Sequence, residues 1–192
     1  VIVQGFIDCI GVMLAGSREK VAGAVERVVT ADQPRGPSNI FFSSRKTTAA
    51  GAALVNGTAA HALDYDDVAQ QGGHPSAPLL AAILAEAEAL GSTGKQMLAA
   101  YAAGFEVFAD LARRDEDQHH NKGWHPTGIF GAIGAAAACA SLRGLDAGRA
   151  AMALGIAASQ SSGLMSNFGS MTKPFHAGRA AQAGVLSARL AA

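Results

Sequence analysis

The run Pro126–Leu142, PTGIFGAIGAAAACASL, carries no charge, and most of its side chains are small. A helix that is apolar or small on every side offers no face to water, so it has to lie inside a larger helical body. Gly128, Gly131, Gly134 and Ala138 recur at spacings of three and four along it. They give it a smooth side that lets a second backbone come close. Other segments share the pattern and are rich in Ala, the residue with the highest helix propensity. Aromatic residues make up only 6% of the chain, which argues against an all-β body. The fold class is therefore all-α, an Ala/Gly-rich bundle of about eight helices.

Helices are predicted over residues 1–16, with Phe6, Ile7, Ile10, Met13 and Leu14 at helical spacing, and over Glu19 to Thr30. Asp32 to Ser44 reads as a loop with a short strand at Ile40–Phe42. Thr47 to about Leu63 reads as helix. It leads into a polar segment, Asp64 to Gly73, that ends in a turn at Gln70–Gly73. Ser76 is the expected N-cap of the next helix, with Pro78 in its first turn and Gly91 closing it. Thr93 to Arg114 follows, with Met97, Tyr101, Phe105 and Phe108 as a core stripe. Residues 115–123 form a charged, His-rich loop, and Pro126 to Leu142 the inner helix. Asp146 opens a helix reaching about Gln160, Ser161 to Pro174 is a loop, and a last helix starts at Phe175. No linker divides the 192 residues, so residues 1–192 read as one domain. Val1 is not a start residue and Ala188–Ala192 carry no cap, so both ends read as cut from a longer protein.

Basic and acidic residues balance at 15 each, which leaves no footprint for nucleic acid. Ala150 to Thr172 is uncharged and long enough to raise the question of a membrane span. Its Ser residues, Gln160 and Asn167 mark it as soluble helix plus loop. Cys9 and Cys139 each sit in an apolar run and read as small buried hydrophobes in a reducing, cytoplasmic setting.

Polar residues gather in three places: His61 to Val68 with Gly73-His74-Pro75-Ser76, then Gly123 to Gly128, then Gly169 to Arg179. Each is a junction of loop and helix, where free N–H groups and side chains can face one cleft and hold an anion. Three carboxylates, Asp64, Asp66 and Asp67, stand within four residues, and their mutual repulsion favours an acid/base role for one of them. His74, His125, Lys173, His176 and Arg179 are cations or can become so. A proton-handling carboxylate ringed by cations suits elimination or decarboxylation of a polycarboxylic acid, with the cations stabilising charge that develops beside a carboxylate.

Plainer readings stand beside these. His61 suits a structural hydrogen bond on a helix, and Asp66 and Asp67 suit a capped or solvated helix end. His119 and His120 suit an exposed loop, and Trp124 suits packing beside the site. Gly91-Ser92-Thr93-Gly94-Lys95-Gln96 lacks the spacing and the preceding strand of a phosphate loop. The Asp cluster lacks the second acidic segment that a Mg²⁺-diphosphate site calls for. A Zn²⁺ site from His61, Asp64 and His74 is allowed by ligand type but not demanded by spacing.

Four segments in order resemble the MmgE/PrpD family, which includes 2-methylcitrate dehydratase and cis-aconitate decarboxylase. They are Asn56-Gly57-Thr58-Ala59-Ala60-His61-Ala62-Leu63-Asp64-Tyr65-Asp66-Asp67, Gly73-His74-Pro75-Ser76, Gly123-Trp124-His125-Pro126-Thr127, and Met171-Thr172-Lys173-Pro174-Phe175-His176-Ala177-Gly178-Arg179. The resemblance implies the family's main helical domain, incomplete here and followed by a smaller α+β lid domain. It implies a metal-free, cofactor-free homodimer acting on a small polycarboxylate, with no nucleic-acid or membrane partner. Dehydration of 2-methylcitrate is the first expectation. Decarboxylation of cis-aconitate and epimerisation of an amino-dicarboxylate are alternatives within the family, and a non-catalytic helical dimerisation domain is an alternative outside enzymes. The decarboxylase branch places its active-site positions at Asp64, His74, His125 and Lys173, with a further Lys beyond residue 192. Asp67, Thr127, His176 and Arg179 are the accompanying candidates for substrate binding. Where that branch has a Thr after the Asp cluster, this chain has Val68.

Overall fold

The computed structural model describes residues 1–32, 35–69 and 73–192. Among them are eight α-helices: α1 (Ile2–Gly16), α2 (Lys20–Thr30), α3 (Ala49–Ala60), α4 (Ser76–Leu90), α5 (Gly94–Arg113), α6 (Pro126–Leu142), α7 (Ala147–Ala158) and α8 (Thr172–Ala191). The all-α reading holds. The one sheet among these residues is a two-residue ladder, β1 (Ser38–Asn39) antiparallel to β2 (Lys46–Thr47). The strand expected at Ile40–Phe42 is not there. The ladder sits just before it, because Asn39 is tied by both its backbone N–H and its side-chain amide to Glu88 of α4. Asn56 of α3 then donates to Asn39 O and accepts from Phe41 N. The middle of the turn expected at Gln70–Gly73 lies outside the described residues; Ala69 and Gly73 at its edges pair as an antiparallel bridge.

Local chemistry sets most helix ends. Thr93 and Gln96 form a reciprocal capping box at α5. Asp146 accepts from Arg149 N at α7, and Thr48 from Gly51 N at α3. Gly91 closes α4 in the left-handed region at φ 67°. Two starts differ from expectation. Pro75 takes the N-cap position of α4, which frees the Ser76 hydroxyl for Tyr101 and Asp67. α8 begins at Thr172 rather than Phe175, because Pro174 falls in the first turn, where a missing N–H costs nothing. α3 stops at Ala60, short of Leu63, so His61 is a C-cap rather than a helical residue.

α8 lies at the centre, against α3, α4, α6 and α7, while α5 covers α6, and α1 and α2 cover α3. Small residues make these contacts possible. A Cβ on Gly178 of α8 would stand 2.2 Å from Leu54 O of α3, and one on Gly57 would stand 2.9 Å from Gly178 Cα. α5 and α6 meet in the same way at Gly104 and Gly134. The main core joins Leu79, Leu80 and Ile83 of α4 to Cys9, Met13, Tyr101 and Val185, and both cysteines are free and buried. Inside it, Glu86 of α4 is fully buried and accepts from Arg143 Nε at 2.6 Å and from Arg189 Nε at 2.9 Å. This clasp fastens the ends of α6 and α8 to α4. No described helix is long and apolar enough to cross a membrane, and the uncharged stretch 150–172 is mostly α7 and a loop.

Candidate active site

Three helix ends converge. α3 delivers His61 at its C-cap, and the segment after it carries Asp64 and Asp66. α6 delivers His125 at its N-cap, and α8 brings Lys173 and His176 in its first turns. His74, just before α4, donates its backbone N–H to Thr127 Oγ1 at 3.0 Å, which ties it to the start of α6.

Imidazoles and carboxylates then alternate in a chain that ends on an ammonium. His61 Nδ1 lies 2.8 and 3.0 Å from the two Asp66 oxygens. Asp66 Oδ2 lies 3.5 Å from His74 Nδ1, a charge contact at the outer limit of a hydrogen bond. His74 Nε2 lies 3.6 Å from Asp64 Oδ1, which takes the Lys173 ammonium at 2.5 Å. The His61–Asp66 end is fully buried and Asp64 is the exposed end. Asp64 has a positive φ of 58°, a left-handed conformation that Asp tolerates better than most residues.

These contacts set the protonation states. Burial disfavours the Asp66 anion, but hydrogen bonds and charge from His61 and His74 overcome it and hold the carboxyl at about 2. Burial also works against a charged His74, yet Asp66 and then Asp64 raise its pKa above the ordinary value. At Asp64 the burial cost is outweighed by Lys173, and the pKa is lowered. His125 is the opposite case: burial first, then the neighbouring His61, His176, Lys173 and His74, push it down to about 2, so it is neutral. His176 is lowered too, by burial and then His61.

His125 and His176 face each other with their Nδ1 atoms 3.1 Å apart. His125 also stacks on His61 and takes the edge of Phe168 at 4.9 Å between centroids. Phe168 in turn lies 5.1 Å under the Lys173 ammonium. Gly163, at φ 132°, accepts from His125 N; a side chain there would press on the His176 ring and on His125 Cβ. A cleft of about 550 Å³ opens beside the chain, lined by Lys20, His61, Asp64, Ser170 and Lys173 among others. Ser170 caps the start of α8, its Oγ accepting from Thr172 N and its carbonyl oxygen from Lys173 N, so what α8 offers the cleft is the Lys173 ammonium rather than free N–H groups.

The structure brings Asp64, His74, His125, Lys173 and His176 together. Thr127 supports His74 from behind. Asp67 is engaged elsewhere, with its two oxygens on Ser76 N and Ser76 Oγ. Arg179 bonds Gln182 on its own helix and does not line this cleft. His119 bonds Asp115, His120 is exposed, and Trp124 is partly exposed beside Leu164. Three neighbours went unchosen in the sequence reading: Asp66, His61 and Phe168. Asp66 and His61 lie in the first motif, where a His five residues before an Asp was a usable signal; Phe168 offered none. His61, Asp64, Asp66 and His74 have metal-ligand chemistry, with donor atoms within 4.8 Å of one another. Lys173 already supplies a positive charge at Asp64.

The chain matches the MmgE/PrpD N-terminal domain over residues 2–192 and belongs to that family. Its relatives include cis-aconitate decarboxylase of Homo sapiens, 38% identical over 145 residues, covering 73% of this chain and 30% of that protein. The Mus musculus cis-aconitate decarboxylase is 32% identical over 200 residues, covering 96% of this chain and 39% of the relative. The Aspergillus terreus enzyme of that name is 29% identical, with 96% and 39% covered. The chain thus spans well under half the length of these relatives.

Proposed function

We propose that this chain is the helical, site-bearing part of a lyase that acts on a tricarboxylic acid, and that its first substrate to test is cis-aconitate, by decarboxylation. The observation that carries this reading is the alternating chain from His61 to Lys173. It sets His74, whose pKa its carboxylate neighbours raise, against Asp64, and Asp64 against the Lys173 ammonium, beside a cleft that Asp64 and Lys173 line. The similarity to cis-aconitate decarboxylases supports this choice of reaction. The Lys173 ammonium holds a substrate carboxylate. The bond to one carboxyl carbon breaks and carbon dioxide leaves. The electron pair spreads over the adjoining double bond and the carboxylates held beside it, and a carbon takes a proton from the site.

Dehydration of 2-methylcitrate, the first expectation from the motifs, becomes the second reading. Val68 favours it, standing where the decarboxylase branch has a hydroxyl. A smaller α+β lid and a homodimer complete the proposed full-length enzyme. The test uses full-length protein with cis-aconitate, 2-methylcitrate and citrate, with and without a chelator. Carbon dioxide, the ultraviolet absorbance of conjugated double bonds and product masses are followed. Chelator-resistant release of carbon dioxide from cis-aconitate supports the first reading, and loss of water from 2-methylcitrate supports the second. Inversion of an amino-dicarboxylate without a change of mass would replace both with an epimerase. Activity lost to the chelator would point to a metal on the Asp64 cluster instead. No turnover of any of them would favour a non-catalytic dimerisation domain.

A further inference from the structure

His61 and Asp66 are the most buried ionisable pair in the molecule's polar centre, and the reading above gives them no step. A carboxylate only accepts, so His61 Nδ1 carries a hydrogen and directs it at Asp66. That bond fixes the ring's orientation and tautomer, as a carboxylate does for imidazoles in triads and metal sites. His61 Nε2 is buried and has no hydrogen-bond partner among the described residues. Buried polar atoms are nearly always satisfied, and an orphan calls for a reason in function. The same Asp66 oxygen that meets His61 also faces His74 Nδ1, which is a second buried nitrogen without a well-formed bond.

We propose that Asp66 is the positioning residue of the site: its one buried carboxylate orients both His61 and His74 through their Nδ1 atoms, so that His74 Nε2 delivers the proton that completes the reaction. The groups facing His74 are Asp66, Asp64 and His61 from the end of α3 and the segment after it, Lys173 from α8 and His125 from α6. The two carboxylates favour its cation and Lys173 opposes it; burial also opposes it, and the carboxylates prevail. Nε2 is on the side of Asp64, the exposed end of the chain, which lines the cleft. In the step, the N–H bond at Nε2 breaks and its proton joins the carbon that carries the electron pair left by carbon dioxide. His74 is left neutral, Asp66 keeps its charge, and solvent returns the proton. The proposal rests on the lyase reading for the identity of that carbon, and on this geometry alone for the pairing of Asp66 with His74.

The test is a substrate-free titration of the histidines in the full-length protein by ¹⁵N NMR, for wild type, Asp66→Asn and His61→Asn, with the helical signal as a check on folding. In Asp66→Asn the His74 midpoint falls by about one unit or more, the size of effect a lost opposite charge has. The alkaline limb of the kcat/KM profile moves down with it, and kcat falls about a hundredfold with KM little changed. His61→Asn keeps the Asp66 charge, so the His74 midpoint stays high while kcat falls. An unchanged His74 midpoint in folded Asp66→Asn overturns the proposal. If that variant does not fold, a His74 midpoint in His61→Asn that drops to the ordinary histidine value overturns it as well. Failure to turn over cis-aconitate would remove the lyase reading and leave these midpoints as the measure of Asp66.

Discussion

Replacing Gly178 with Ala pits two effects of opposite sign against each other. In a helix interior, Gly to Ala gains about 1 kcal/mol from backbone entropy alone. At Gly178 the new Cβ would lie 2.2 Å from Leu54 O and 2.2 Å from Thr58 Oγ1. The first is backbone of α3 and cannot rotate away, so α3 and α8 must part by roughly an ångström. Overpacking a close-packed contact costs about 3 kcal/mol when helices have to move, so the net loss is about 2 kcal/mol. For a body of this size that is a fall in Tm of about 4–8 °C. α3 leads into His61 and α8 carries Lys173, so the displacement reaches the site and kcat/KM falls too. Gly11 on the outer side of α1 is the control: a Cβ there meets nothing within 4 Å. Gly11→Ala is expected to raise Tm by about 2–4 °C and leave turnover unchanged. Thermal unfolding followed by helical circular dichroism reads both. A Gly178→Ala protein as stable as wild type would refute the claim that the two backbones touch through this glycine.

Other expectations follow from buried charge. Glu86→Gln leaves Arg143 and Arg189 without their counter-ion and should cost about 3 kcal/mol, at the low end for a broken buried pair because Arg189 is partly solvated and screened; a urea midpoint within error of wild type would contradict it. His125 binds its proton only near pH 2 when folded but near 6.5 when unfolded. The unfolded chain therefore holds the extra proton between those values, and this histidine's contribution, full above pH 6.5, is lost by about 1.4 kcal/mol per unit as pH falls. Tm measured from pH 7 to 5 should drop less steeply in His125→Phe than in wild type, and equal slopes would argue against a neutral buried His125. His125→Ala should abolish turnover with helical content retained; an active variant would remove His125 from the site.

The helices were legible where local chemistry decides them. Pro126–Leu142 was read to the residue because proline, the absence of charge and a final polar turn all mark the same ends. Gly91, Thr93 and Asp146 worked for the same reason. The errors lie where distant side chains decide. The β1–β2 ladder is set by Glu88 and Asn56, partners 49 and 17 residues from Asn39. Pro174 pointed to a start at Phe175, although proline is equally at home inside the first turn, and that placed Lys173 outside the helix that orients it. In the site, the motifs located the cluster but not the division of labour within it. Asp66 and Asp67 are adjacent and chemically identical, yet one is the buried hinge of two histidines and the other holds Ser76. Only the direction of the chain after Ala60 separates them.

α8 is the eighth of the described helices and also the one that α3, α4, α6 and α7 pack against. While the polypeptide emerges from the ribosome, α3 and α6 are made long before it. Their glycine-lined faces stay without an occupant until about residue 190 has been synthesised. Until then His61 and His125 have no Lys173 or His176 opposite them. Two smooth, apolar grooves are meanwhile open to any other segment or molecule. The nascent chain is therefore most exposed to misassembly, and most in need of a chaperone, in the interval between completion of α6 and arrival of α8.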